Sequence, residues 1–217
     1  MARTVVVGDI HGCYDELLAL IEGVGLRESD RLVSVGDLVT KGEKSREVLE
    51  LFMSDARFAS VIGNHDRALL EYWKGERKEK QLKPAQRKCA EELGDGGKLY
   101  ASFFDSLPGY IYLGSHVVVH AGLRPGVPLA EQSLDDLTTL RTLGHHRESR
   151  EGTPWYEAYD GDRVALFGHW PAPAPRRGPR AIGLDTGCVY GHRLTAYVVE
   201  TGEFHSVPAL KVYDRRQ

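Results

Sequence analysis

The first third of the chain repeats one pattern three times: a short apolar run rich in β-branched residues, a glycine beside Asp or Asn, then an amphipathic stretch. The runs cover residues 4–7, 31–35 and 59–62 and end at Gly8, Gly36 and Gly63. Helical periodicity follows each, over 14–22, 43–52 and 67–73. Strand, turn and helix in that succession predict parallel βαβ units. In such sheets ligands gather beyond the carboxyl ends of the strands, where all three glycine-bearing turns fall.

After residue 110 the character changes. Short runs at 111–113, 117–119, 164–167, 194–199 and 204–207 alternate with turn residues, predicting a second, more antiparallel sheet packed on the first. The stretch Pro171 to Pro179 reads as a loop too brief to separate domains. A length of 217 residues suits a single domain over 1–217, with a helical, cap-like segment around 67–106. Within that segment 75–97 is charge-rich and broken at Pro84, so it reads as an exposed helix. Its composition favours a solvated face over a lid.

The formal charge of −3 argues against a general nucleic-acid binder but permits a local basic pocket for a small anion. No apolar run reaches membrane-spanning length, and Met1-Ala2-Arg3 leads straight into a strand, so no membrane partner and a cytoplasmic location are expected. Cys13, Cys89 and Cys188 form no CxxC pair; the odd count suits a reducing compartment, and Cys13 reads as a space-filling thiol at a helix start. Nothing in the chain specifies an oligomeric state.

Five motifs carry the chemistry: Gly8-Asp9-Ile10-His11-Gly12, Gly36-Asp37-Leu38-Val39-Thr40-Lys41-Gly42, Gly63-Asn64-His65-Asp66, His120-Ala121-Gly122 and Gly168-His169-Trp170. Asp9 and His11 are two apart at a strand end, so they point to one side and can grip one ion. Asp37 can bring a bridging carboxylate to the same place, and Asn64, His120 and His169 would complete a second ion. Oxygen and nitrogen donors of this kind suit manganese foremost, with cobalt, iron, zinc or magnesium as alternatives. Two ions roughly 3.5–4 Å apart can activate a water between them and neutralise a phosphoryl group during in-line attack. His65, next to Asn64 but not needed as a ligand, is the candidate general acid. Singly, each histidine would be read as a packed imidazole and Asn64 or Asp66 as turn chemistry; the joint pattern is what points to a phosphoesterase centre.

On these motifs, and on the stretch Gly183-Leu184-Asp185-Thr186-Gly187-Cys188-Val189-Tyr190-Gly191-His192-Arg193-Leu194-Thr195-Ala196, the chain resembles the calcineurin-like metallophosphoesterases of the phosphoprotein-phosphatase superfamily. Within them it is most similar to the symmetrical diadenosine-tetraphosphate hydrolases and ApaH-like phosphatases. The resemblance implies an α/β fold, an α/β/β/α sandwich with two packed mixed sheets. It implies a first metal on Asp9, His11 and Asp37, a second on Asp37, Asn64, His120 and His169, and His65 as the acid. The expected reaction is symmetrical hydrolysis of diadenosine tetraphosphate to two ADP. Alternatives are a Ser/Thr protein phosphatase, an endopolyphosphatase or a nucleotide-cap hydrolase.

Protein phosphatases of this superfamily carry an Asp and an Arg where this chain has Thr40 and Lys41, so His65 lacks its expected carboxylate partner. That departure favours a nucleotide polyphosphate substrate over a phosphoprotein. Asn64, Lys41 and Arg141 are the expected phosphate-binding residues. Arg176, Arg177 and Arg180 could attract a polyphosphate chain, and Trp155, Trp170 and Tyr190 could stack on a base. Arg147 and Arg150 read as solvated.

Overall fold

The computed structural model describes residues 2–144 and 146–215, apart from the side chain of Asp95. Its first sheet contains β1 (Thr4–Val7), β2 (Arg31–Ser34) and β3 (Phe58–Ser60), all parallel. They are linked by α1 (Tyr14–Val24) and α2 (Ser45–Ser54), and α3 (Asn64–Trp73) follows β3. Next come α4 (Pro84–Leu93) and α5 (Gly97–Ser106), then β4 (Tyr110–Leu113) and β5 (His116–Val119). Two short helices, α6 (Leu134–Thr139) and α7 (Trp155–Ala158), precede β6 (Val164–Phe167). The chain then forms β7 (Arg176–Arg177), β8 (Ala181–Gly183), β9 (Arg193–Val198) and β10 (Phe204–Pro208).

Strand order is β10-β9-β1-β2-β3 in one sheet and β4-β5-β6-β8-β7 in the other. Among the described residues each has two parallel and two antiparallel pairs, so both are mixed as expected, but the second is not the more antiparallel of the two. Side-chain alternation explains the layers. Val5 and Val7 face the core beneath the helices, whereas Val6 between them faces the core shared by the sheets. Val118 likewise points to that shared core, and Val117 and Val119 point to the core containing Trp155 and Leu137. Strands covered on both faces read as continuous apolar runs because neither side meets water.

Two other expectations need correction. The runs that become β9 and β10 were assigned to the second sheet, but β9 pairs antiparallel with β1 in the first, and β10 pairs with β9. Pairing of β1 with β2 leaves its other edge open, and β9 covers that edge. The second sheet is completed instead by β8 and the two-residue β7, which are too short to show a period. Pro84 does not break a helix; it opens α4 in the first turn, where its missing N–H costs no hydrogen bond. No helix among the described residues is long and apolar enough to cross a membrane.

Candidate metal centre

The five motifs meet at one end of the sandwich. Asp9 and His11 follow β1, Asp37 follows β2, and Asn64 and His65 open α3. His120 follows β5 and His169 follows β6, so both sheets contribute from strand carboxyl ends. Among the described residues the non-glycine positions with positive φ are His11 (49°), Asp37 (53°), Thr40 (76°), Lys41 (67°) and His169 (66°). All five belong to these motifs. Left-handed backbone is costly for residues with a Cβ, above all for β-branched Thr40, and its concentration here marks where packing holds side chains in imposed directions. Among the glycines that leave no room for a Cβ are Gly168, where it would collide with Asp9 Oδ1, and Gly63, where it would collide with Asp37 Oδ1.

Asp37 Oδ2 lies 3.5 Å from His11 Nε2, and its Oδ1 lies 3.6 Å from His120 Nε2. Oδ1 also accepts the His65 backbone N–H at 2.8 Å. Both Asp9 oxygens accept the His169 backbone N–H at 3.1 Å. Two imidazoles have their tautomers set by carbonyls, which only accept: His11 Nδ1 donates to Val39 O at 3.0 Å and His120 Nδ1 to Val35 O at 2.8 Å. Their Nε2 lone pairs therefore face the cluster. Asn64 Oδ1 stands 2.9 Å from His120 Nε2 and 2.8 Å from His169 Nδ1.

These groups fit divalent cations. His120 Nε2 and Asn64 Oδ1 bring two lone pairs together, a contact that a shared cation resolves. His169 Nε2 is buried without a hydrogen-bond partner. Burial, then the Lys41 ammonium, pushes the His11 pKa down to about 3, and burial also lowers those of His120 and His169, so all three present neutral imidazoles, the form that can hold a cation. Asp9 is raised by burial and by repulsion from Asp185 and Asp37. Although burial opposes it, positive charge nearby, supplied by His120, His65 and His11 in their protonated forms and by Lys41, favours the Asp37 carboxylate and moves it below the usual range. Lys41 Nζ sits 2.8 Å from His11 Nε2, so the cluster already draws in a positive charge.

His65 is buried, and its Nδ1 lies 2.8 Å from Thr40 Oγ1. This is the partner the sequence did not disclose. Asp66 cannot play that part, because its two oxygens accept the backbone N–H groups of Leu38 and Gly63. Burial and then Lys41 lower the His65 pKa well below its ordinary value, so the imidazole is neutral. With Nδ1 engaged, Nε2 is the nitrogen available towards the cleft.

A cleft of about 750 Å³ opens over the cluster, lined in part by Lys41, Asn64, His65 and Arg141. Arg141 Nη1 donates to Glu148 O at 3.0 Å, while its Nε is buried without a partner. Arg147 and Arg150, expected in solvent, line the cleft too, as do Arg67, Arg77 and Lys83. The segment expected to be a solvated face thus supplies a wall, through Lys83, Pro84 and Gln86. Arg176 is turned to the Trp170 carbonyl, Arg177 lies over the Phe204 ring and Arg180 reaches the Gly161 carbonyl, so none of the three lines the cleft. Trp155 is fully buried in the core rather than offered to a base. Tyr190 does line the cleft, with the Lys41 ammonium 5.3 Å from its ring centre. Asp185, which lies in the Gly183–Ala196 stretch but carries no assigned role there, and Asp214 and Arg215, which no local pattern marks, also border it.

Known proteins resemble this chain in sequence and in fold. An asymmetrical bis(5'-nucleosyl)-tetraphosphatase, PrpE of Bacillus subtilis (strain 168), is 34% identical over 96% of this chain and 96% of its own length. A symmetrical bis(5'-nucleosyl)-tetraphosphatase of Neisseria gonorrhoeae is 27% identical over 94% of each chain. A crystal structure described provisionally as a diadenosine tetraphosphatase superposes with a TM-score of 0.84 at 36% identity, covering 97% of this chain and 95% of the other. A yeast protein serine/threonine phosphatase shares the fold, with a TM-score of 0.73 at 16% identity, covering 97% of this chain and 81% of the other. The model of the calcineurin-like phosphoesterases matches residues 2–202, and the chain belongs to that family.

Proposed function

We propose that the chain, acting as one domain with residues 67–106 walling its cleft, hydrolyses a phosphoanhydride bond of dinucleoside tetraphosphates at a centre of two divalent cations. The observation that carries the reading is the convergence of Asp9, His11, Asp37 and His120, joined through Asn64 to His169, beside a cleft bordered by basic side chains. Asp9, His11 and Asp37 would hold one cation; Asp37, Asn64, His120 and His169 would hold the other. Bound there, divalent cations supply a nucleophile at neutral pH and neutralise phosphoryl charge.

The chain's own groups do the rest. Lys41 and Arg141 approach the phosphates from the cleft wall, and the Asn64 amide lies beside them. The Thr40 hydroxyl donates to His65 Nδ1, which keeps the proton of the neutral ring on Nε2. That N–H donates a hydrogen bond to the bridging oxygen as the water oxygen bonds to phosphorus and releases its proton to solvent, while the P–O bridge bond breaks and its electron pair passes to the bridging oxygen. A neutral imidazole is adequate for this leaving group, because a terminal phosphate has its second pKa near ~6. An alkoxide leaving from phosphoserine is closer in basicity to hydroxide, with water's pKa at ~15.7, and calls for full proton transfer. The Thr40–His65 pair therefore supports an anhydride over a phosphoprotein.

The sequence motifs led to an expectation of two ADP. Relatives named asymmetrical are 27–34% identical to this chain, and two named symmetrical are 27% identical; the upper end of the asymmetrical range supports AMP plus ATP instead. Chromatographic separation of the nucleotides released from diadenosine tetraphosphate tests both parts. AMP with ATP is expected; two ADP would restore the symmetrical reading. No nucleotide release alongside rapid phosphopeptide hydrolysis would sink the substrate class.

A further inference from the structure

A second buried cluster of ligating groups lies beneath the cleft, built from residues the proposed reaction does not use. Cys13 at the start of α1, Glu16 in its first turn and Cys188 near the chain's end place two sulfurs and a carboxylate oxygen within 4.8 Å of one another. All three residues are at most 2% exposed. Glu16 Oε1 accepts from the Leu210 backbone N–H at 2.9 Å and from the Tyr213 hydroxyl at 2.7 Å. Its Oε2 is buried and has no hydrogen-bond partner. A buried carboxylate oxygen left without a partner is costly, and such a group calls for an unseen ion or water.

We propose that Cys13, Glu16 and Cys188 form a structural site for one thiophilic divalent cation of the zinc class. Two thiols and a carboxylate are the donor set that selects such ions over manganese or magnesium, which prefer oxygen and nitrogen. Binding releases the two thiol protons to solvent and forms two metal–sulfur bonds, while the Glu16 carboxylate gives its orphaned oxygen to the ion. Cys13 and Glu16 lie at the N-terminus of an 11-residue helix, whose dipole favours the anionic ligands. The ion would brace three segments that border the cleft: the loop carrying His11, the turn carrying Tyr190, and the stretch from Leu210 to Tyr213 that leads into Asp214 and Arg215. This site is independent of the proposed phosphoesterase reaction.

The test is a cadmium titration of the manganese-loaded protein, followed by ultraviolet thiolate-to-cadmium charge transfer, to which Asp, Asn and His ligands do not contribute. The expected band saturates at one cadmium per chain in the wild type and in Cys89→Ser. It is absent from Cys13→Ser and Cys188→Ser, and Glu16→Gln weakens binding about tenfold or more. No band from the folded wild type, or a band that survives Cys188→Ser, overturns the proposal. Should neither serine variant fold, the wild-type band and its weakening in Glu16→Gln decide, and the lack of either overturns it.

Discussion

Replacing Thr40 by Val tests the least expected contact of the site. Valine keeps the shape and β-branching of threonine but deletes the hydroxyl 2.8 Å from His65 Nδ1. The backbone N–H of residue 40 keeps its bond to Ser45 Oγ, so the left-handed turn retains its anchor. A neutral hydrogen bond contributes about 0.5–1.5 kcal/mol net. If that contribution is realised in the transition state, and each 1.36 kcal/mol is tenfold in rate, kcat should fall about 2- to 13-fold. The loss should grow with leaving-group basicity: small for diadenosine tetraphosphate, larger along a series of aryl phosphates with rising phenol pKa. Thr40→Ser, which restores a hydroxyl at the same position, should recover most of the rate. Steady-state kinetics, with the folded fraction checked by circular dichroism and the His65 tautomer read by ¹⁵N NMR, make the measurement. Equal rates for Thr40→Val and wild type on every leaving group would refute the argument, as would Thr40→Ser being as slow as Thr40→Val.

Other perturbations probe separate links of the account. Asp37→Asn should cut both bound metal and turnover by more than the ~10–100-fold typical of an outer-shell partner, as read by elemental analysis and kinetics. Gly168→Ala forces a methyl against Asp9 Oδ1 and should destabilise the fold by about 1–3 kcal/mol in denaturant titration, with weaker metal retention. Asp30 accepts from Arg3 and Arg27, and these bonds, against the opposing effect of burial, hold its pKa well below the usual carboxylate value. A depressed folded-state pKa stabilises above the unfolded value of ~3.9, and that stability is lost as pH falls through the folded value. Asp30→Asn should therefore be less stable than wild type at pH 7 in urea titrations, with the gap closing as the pH is taken well below 4; a gap independent of pH would contradict this.

The parts of this molecule legible in sequence were those that repeat or sit at strand ends. The three strand–turn–helix repeats announce themselves because each strand is covered on both faces and each turn needs glycine. Asp9, His11, Asp37 and Asn64 stand in those turns, His120 and His169 follow strands of the second sheet, and the structure brings all six to one place. What stayed hidden depends on contacts between distant segments. The partner of His65 lies 25 residues away and reaches it only because Thr40 adopts a left-handed backbone. β9 joins the first sheet because an edge is open there, which no local period reveals. Arg147 and Arg150 read as surface charge in sequence and turn into the cleft only through the loop after α6. Glu16 looks like an ordinary first-turn acid, yet it is buried because the tail folds back onto α1.

The central claim, a two-cation centre on the six converged side chains, is tested most directly by counting ions against activity. The protein is stripped with a chelator and titrated with manganese, following bound metal per chain and diadenosine tetraphosphate turnover together. Manganese is not thiophilic, so the cysteine cluster stays out of the count. The account predicts no turnover in the stripped protein, and activity that rises to its plateau as the second ion per chain is bound. Full turnover in the stripped protein, or a plateau reached with a single bound ion, would contradict it.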